Sequence, residues 1–146
     1  MEEKNDIRLP EEVKFIKSKR IDDCRGSLFV TDNLELPFDV KRVFWITNIP
    51  KNETRGGHAH RICAEIIFPL KGSLDITTDD GTVKNKYTLD DPNTGIYIGP
   101  MVWCELNNFS EDCVCLVLAS HPYIAEGYIQ DYKSFKAEVC NKKSGL

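Results

Sequence analysis

Short runs of alternating apolar and polar residues, separated by turn residues, fill the chain from residue 27 to residue 119. A period of two is typical of strands that have one buried face. Gly72 and the Asp79-Asp80-Gly81 segment favour tight turns between these runs. Eight short strands joined in this way predict an all-β, closed jelly-roll barrel. The predicted strands are Ser27–Thr31, Lys41–Ile49, Cys63–Leu70, Ser73–Thr78, Thr82–Leu89, Gly95–Ile98, Val102–Asn107 and Cys113–Ala119.

The period changes near the C-terminus. Ile129, Tyr132 and Phe135 recur at three-residue steps, which predicts one amphipathic helix whose aromatic residues, Tyr128 among them, pack on the barrel. We therefore expect a single domain over residues 1–146, with the barrel over about 21–120, the C-terminal helix over about 126–139, and a frayed tail over 141–146.

Charge and hydropathy exclude several classes of protein. The net charge of the 146 residues is -4, and acidic and basic residues are interleaved without a basic stripe, so nucleic acid is not an expected partner. No apolar run approaches the roughly 18 residues of a membrane span. The first residues are charged where a signal peptide has an apolar block. We expect a cytoplasmic protein without membrane contact.

The six cysteines give no sign of a disulfide scaffold or a zinc knuckle, because no two have the C-x-x-C spacing. Cys113 and Cys115 alternate with Val114 and Leu116 in an apolar run. We expect these cysteines to be small core residues in a reducing compartment.

The candidate chemistry lies in Arg55-Gly56-Gly57-His58-Ala59-His60. Alternate side chains of an extended chain share a face, so His58 and His60 point the same way. The two glycines leave room for a substrate or another backbone to approach. Two of the three histidines converge here, which indicates a functional site. His121 follows the last predicted strand, and we expect it to be a surface loop residue.

The spacing of His58, His60, Glu65 and Gly72 resembles the first motif of the cupin superfamily, and the second motif is partial, with Cys104 in its histidine position. More narrowly, the chain resembles the WxcM-like sugar-nucleotide 3,4-ketoisomerases from about Asp23 to about Phe135. The landmarks are Cys24-Arg25-Gly26-Ser27-Leu28, Pro37-Phe38-x-x-Lys41-Arg42-Val43, the histidine segment, Leu70-x-Gly-Ser73, Asp79-Asp-Gly81, Gly99-Pro-x-x-Trp103 and Val117-Leu-Ala-Ser120.

This resemblance implies an RmlC-like cupin that forms a homodimer and isomerises dTDP-4-keto-6-deoxy-D-glucose on the way to deoxy and amino sugars of surface polysaccharides. It implies no metal and no cofactor, with His58 and His60 as the catalytic groups. The chain departs from the family at Phe44-Trp45, where a tyrosine is common, at Glu65, where a glutamine is common, and at Cys104, where a histidine is common.

Imidazole is a competent base and acid near neutral pH. We expect His60, rather than His58, to take the proton from C3 of the sugar, with the other ring beside the carbonyl oxygen. Arg55 is the first candidate for the pyrophosphate and Arg25 the second, because a guanidinium matches paired phosphate oxygens. Glu65 faces His60 only if a turn at Arg61–Ile62 resets the strand parity. We expect Trp45 and Trp103 to line the barrel, and we count them and Cys104 as candidate substrate contacts.

Two other functions fit the same residues. One is a metal-dependent cupin in which His58, His60, Glu65 and Cys104 surround iron or zinc, since imidazole and thiolate both suit zinc. The other is a non-catalytic module that binds a sugar nucleotide or a partner protein.

Overall fold

The computed structural model describes residues 8–145, which form twelve strands and one α-helix. The strands are β1 (Val13–Lys17), β2 (Lys19–Asp23), β3 (Gly26–Val30), β4 (Arg42–Ile46), β5 (Arg55–His60), β6 (Glu65–Lys71), β7 (Leu74–Asp79), β8 (Lys84–Leu89), β9 (Thr94–Ile98), β10 (Trp103–Asn107), β11 (Val114–Ala119) and β12 (Tyr128–Ile129), and the helix is α1 (Tyr132–Ser144).

Ten strands form two antiparallel five-stranded sheets. The first has the order β1-β9-β6-β11-β4 and the second the order β12-β5-β10-β7-β8. Their inner faces share one apolar core that includes Ile67, Ile76, Ile96 and Val117, all at most 2% exposed. Two facing sheets that bury alternate residues form the expected jelly-roll barrel.

Each sheet is also covered on its outer face. Phe38 and the buried Leu9 and Leu36 pack over Ile66 on the first sheet. The helix α1 covers the second sheet, where Phe135 is fully buried. Asp131 begins this helix, because its carboxylate accepts a hydrogen bond from the Ser134 amide at 2.9 Å.

A separate hairpin extends from the body of the molecule. β2 and β3 pair with each other and with neither main sheet. Ile21 lies opposite Leu28 in the register, so the two side chains share a face, and they are 41% and 57% exposed. An isolated two-stranded hairpin is at best marginally stable in water.

All eight predicted strands are present, with boundaries that differ by a few residues. The structure adds β1, β2, β5 and β12. β1 pairs along its whole length with β9, so the first sheet begins at residue 13 and includes residues before the expected barrel.

The prediction for the helix was wrong at both ends. Residues 126–129 form the end of a 3-10 turn and β12, and α1 runs from Tyr132 to Ser144. Ile129 faces the helix from the sheet, so its three-residue spacing from Tyr132 was coincidental. Most of the tail expected to fray continues α1, and Leu146 lies outside the described residues. Among residues 8–145 no helix has the length and apolar character needed to cross a bilayer.

Candidate active site

His58 and His60 lie on the inner face of β5, at one end of the barrel. Cys104 of β10 is opposite His58 in the register and belongs to the barrel core, whereas Ala59 faces outward beneath α1. The ring centroids of the two histidines are 4.8 Å apart, with the planes at 81°. The prediction that the two rings share a face is confirmed, and the structure shows that this is the inner face of the barrel.

Gly56 allows β5 to approach β10 closely. Its φ is +81°, and a Cβ at this position would lie 2.9 Å from the Cys104 carbonyl oxygen. The register between the two strands shifts at Cys104 and Glu105. A side chain here would therefore push away the strand that carries both histidines.

Glu65 is the acidic partner of His60. A bend at residues 61 and 62 separates β5 from β6 and resets the parity, so that the carboxylate turns toward the histidines. Its Oε1 is 3.3 Å from Nε2 of His60, within ion-pair range but without the alignment of a hydrogen bond. Burial would raise the pKa of Glu65, but His60, His58 and Arg42 together hold this pKa below its ordinary value. The carboxylate is therefore charged at neutral pH.

Tyr128 closes the third side of the cluster. It lies opposite His60 in the short β12 pairing, and its ring centroid is 4.5 Å from that of His60 and 5.0 Å from that of His58. Its hydroxyl accepts a hydrogen bond from Nη2 of Arg42 at 3.3 Å. Arg42 also lies 4.0 Å from Glu65. We expected Tyr128 to belong to the C-terminal helix and to pack on the barrel. It lies instead in β12, against both histidines.

The two imidazoles differ in electrostatic surroundings. Burial, and after it the neighbouring His60, lowers the pKa of His58. The Glu65 carboxylate lies against His60, with Oε1 3.3 Å from Nε2. The pair therefore combines one ring whose surroundings favour the neutral form with one ring that lies against a carboxylate.

A small cavity of about 30 Å³ adjoins the cluster, and Arg42, His60, Cys63, His121 and Tyr128 are among its lining residues. His121 is partly buried, and its Nδ1 is 2.7 Å from the Ser120 hydroxyl. It is therefore more than the surface loop residue expected from the sequence.

His58, His60 and Glu65 could also hold a metal ion, because their donor atoms lie within 4.8 Å of one another. Cys104 does not belong to this group. Burial raises the pKa of its thiol well above the usual value, which opposes the thiolate form that metals bind. The set of four donors expected for a metal-dependent cupin is thus reduced to three.

The remaining predicted site residues lie away from the histidines. Arg55 is exposed at the start of β5. Arg25 is at the tip of the β2–β3 hairpin, where it pairs with Asp23 at 2.6 Å. The expectation that both tryptophans line the barrel is wrong: Trp45 is 66% exposed on the outer face of β4, and Trp103 packs beneath α1 against Phe135. Both stand one residue out of phase with the inward positions of their strands.

Sequence reasoning left Arg42, Tyr128 and His121 out of the site. Arg42 lies in the predicted strand Lys41–Ile49 and is in phase with the inward Phe44, so the alternation could have indicated that it points inward. Tyr128 carried no such signal, because a two-residue strand has too few positions to show a period. His121 could not be placed from the sequence, because its position depends on where the chain turns after β11.

The fold and the inward histidine pair define a cupin-type jelly-roll barrel with an acid-base centre at one end. The chain belongs to the family described as FdtA: WxcM-like, C-terminal, whose model matches residues 11–140. This result confirms the resemblance inferred from the sequence and, with the relatives below, the isomerase class.

Two relatives place the chain more closely, and a third shares only its fold. It is 44% identical over 129 residues to the TDP-4-oxo-6-deoxy-alpha-D-glucose-3,4-oxoisomerase of Aneurinibacillus thermoaerophilus, covering 88% of this chain and 93% of that protein. The crystal structure of QdtA, a sugar 3,4-ketoisomerase from Thermoanaerobacterium thermosaccharolyticum in complex with TDP, matches with a TM-score of 0.86 and 39% identity over 89% of this chain and 96% of that chain. The rmlC epimerase of Mycobacterium tuberculosis shares the fold alone, with a TM-score of 0.67 and 19% identity over 84% of this chain and 69% of the epimerase.

Proposed function

We propose that this chain is a sugar-nucleotide 3,4-ketoisomerase that acts on dTDP-4-keto-6-deoxy-D-glucose. The observation that carries the proposal is the pair of inward imidazoles, 4.8 Å apart, with the buried Glu65 carboxylate against only one of them. Such a pair places a general base and a general acid side by side, as a keto shift requires.

His58 is the base in this proposal. Its lowered pKa keeps the ring neutral at pH 7, and it is less buried than His60, so the substrate can reach it more easily. His60 is assigned the role of acid, because it is the ring of the pair that lies against the Glu65 carboxylate, at 3.3 Å. The geometry thus favours the reverse of the assignment expected from the sequence.

The reaction then balances without an external oxidant. His58 takes the proton from C3, and the electrons of that bond form a C3–C4 double bond as His60 donates a proton to O4. The resulting enediol loses the O3 proton to water, and His58 returns its proton to C4. The product is the 3-ketone, and His60 is left one proton short.

Two further groups complete the binding site in the proposal. The Tyr128 hydroxyl, oriented by Arg42, faces the sugar oxygens next to the histidines. Arg55 binds the pyrophosphate from its exposed position on β5. We assign Trp103 to packing beneath the helix, since Phe135 covers it.

Proton exchange at C3 tests this function. The protein is mixed with the dTDP-linked 4-keto sugar in heavy water, and NMR follows deuterium at C3 and the appearance of the 3-keto product. We expect both with the wild-type chain. Binding of the sugar nucleotide with no exchange would instead support a non-catalytic binding module.

A metal-dependent cupin remains the second candidate, because the donor atoms of His58, His60 and Glu65 lie within 4.8 Å of one another. Elemental analysis of protein purified without added metal separates the two functions. One equivalent of tightly bound ion in the wild-type protein, absent from both the H58N and the H60N variant, would favour the metal enzyme. Full isomerase activity after dialysis against a chelator would exclude it.

The proposal includes a homodimer. The exposed face of the β2–β3 hairpin carries Ile21 and Leu28, and the outer face of β4 carries Val43 and Trp45, 49% and 66% exposed. We propose that the hairpin of one copy covers the β4 face of another, because each surface alone leaves large apolar side chains in water.

Sedimentation tests the dimer. Leu28→Asp, at a side chain that is 57% exposed, should convert the protein to a monomer. Leu34→Asp is the matched control, because Leu34 is 70% exposed outside both surfaces. A Leu28→Asp protein that stays dimeric would place the interface elsewhere.

We also propose that the protein works in the cytoplasm and supplies sugars for surface polysaccharide. Its proposed substrate is a nucleotide-linked sugar, and the net charge of -4 does not favour binding to anionic lipids. Fractionation of cells of the source organism, followed by immunodetection, tests the location. Analysis of surface glycans after deletion of the gene tests the supply of sugars.

A further inference from the structure

The proposed reaction leaves His60 without its proton after each turnover, yet the ring has little access to solvent. His60 is 8% exposed, and its Nε2 faces Glu65. His121 lines the same cavity of about 30 Å³ as His60, and an imidazole can take up and release a proton near neutral pH. A volume of this size holds about one water molecule.

We propose that His121, acting through one water in this cavity, is the residue by which His60 regains its proton from solvent. This inference rests on the proposed function. His121 is a positioning and relay group, since it acts on His60 and has no contact with the sugar in the proposed mechanism.

The surroundings of Nδ1 allow His121 to gain and lose a proton. The Ser120 hydroxyl oxygen lies 2.7 Å from this nitrogen and already accepts a hydrogen bond from the Ala64 amide at 2.8 Å. When His121 is neutral, the hydroxyl donates to Nδ1. When His121 is charged, Nδ1 donates to the hydroxyl oxygen, and the hydroxyl proton can turn to the Cys63 sulfur at 3.7 Å.

Both charge states of His121 therefore keep the Ser120 hydroxyl hydrogen-bonded, although Ser120 is fully buried. The ring itself is only partly buried, so its other side reaches solvent. Burial, and after it the charges of His60 and Lys41, lowers the pKa of His121, which suits a group that passes a proton on rather than holding it.

In this route the proton moves from solvent to His121, from His121 to the cavity water, and from that water to His60. It replaces the proton that His60 gave to O4, while the O3 proton leaves to solvent. No bond to carbon and no electron transfer is involved.

The test compares three proteins in the isomerase assay: wild type, His121→Ala and His121→Gln. Glutamine can still hydrogen-bond to Ser120 but cannot accept a proton at neutral pH. We expect kcat to fall roughly tenfold in both variants with KM unchanged, a smaller loss than the ~10²-fold minimum for a group that acts on the substrate itself. A His121→Gln protein with wild-type kcat would overturn the relay and leave only a structural role.

Chemical rescue gives a second readout. Added imidazole should restore kcat in the His121→Ala protein, whereas pyrazole, of the same size but far less basic, should not. Rescue by both compounds, or by neither, would overturn the relay. A wild-type protein that does not isomerise the sugar would instead overturn the proposed function and the relay with it, so the two failures are distinguishable.

Discussion

β5 separates two clusters that are built from similar side chains. On its inner side the two histidines cluster with Tyr128 and Glu65. On its outer side Trp103 and Asp79 contact Tyr132 and Phe135 of α1. Ring centroids are 4.5–5.0 Å apart around Tyr128 in the first cluster and 5.4–6.0 Å apart in the second.

The clusters differ in how their polar atoms are paired. Outside, Asp79 accepts hydrogen bonds from the Tyr132 hydroxyl and, at 2.7 Å, from the Gly81 amide. Inside, Nε2 of His60 and Nε of Arg42 are buried without a hydrogen-bond partner. Polar groups stabilise a fold when they are fully bonded, and they remain available for chemistry when they are not.

The largest expected effect is on the inner cluster. Replacing His58 by Asn should lower kcat by ~10²–10⁴-fold, because the base is lost, while the unfolding transition stays close to that of wild type. NMR exchange at C3 and a thermal melt on the same sample check both parts. A variant that keeps its exchange rate would return the role of base to His60.

The outer cluster should respond in stability rather than in chemistry. Phe135→Ala removes a fully buried ring and should lower the free energy of unfolding by about 3–5 kcal/mol. Urea denaturation measures this loss. At a temperature where the variant is folded, we expect kcat to remain within a few-fold of wild type, and a loss as large as that of His58→Asn would show that the two faces are not separate.

A smaller loss of stability is expected at the outer carboxylate. Asp79→Ala leaves the Tyr132 hydroxyl and the Gly81 amide without their acceptor and should destabilise the fold by about 1–3 kcal/mol. Denaturation of this variant beside Asp75→Ala, which removes another bonded carboxylate far from α1, tests whether the effect is specific to the helix. Faster hydrogen exchange in α1 is expected in the Asp79→Ala protein and not in the Asp75→Ala protein.

The pH dependence of kcat/KM should report how the Glu65 carboxylate affects the pKa of His58. Burial and the charge of His60 lower the pKa of His58, while Glu65 opposes this shift. The base must be neutral, so kcat/KM should hold as the pH falls through the ordinary histidine value of about 6.5 and drop only below it. In Glu65→Gln the opposing charge is lost, and this drop should move to still lower pH. A drop in kcat/KM that moves to higher pH would contradict the conclusion that Glu65 opposes the lowering of the His58 pKa.

The alternation of apolar and polar residues along single strands predicted most of the fold that was found from the sequence. It located eight strands and the shared face of His58 and His60, because a period of two is visible over five or more residues. It did not find β1 or β2, whose residues are largely exposed and therefore show little alternation.

The site was harder to predict than the fold, since it depends on contacts between segments distant in sequence. Arg42 meets Tyr128 across 86 residues, and no local pattern reports such a contact. Trp45 was placed inside because of its size, but the register with Leu116 puts it on the outer face. The bend that turns Glu65 inward was left open by the sequence, and the structure resolves it.

Ala59 lies between the two histidines in the chain and is fully buried on the opposite face, beneath α1. Any larger residue there must move either the helix or the backbone that holds both imidazoles. A single methyl group thus fixes the distance between the helix and the acid-base pair. Varying this one position would alter the alignment of the catalytic rings while leaving each of them chemically intact.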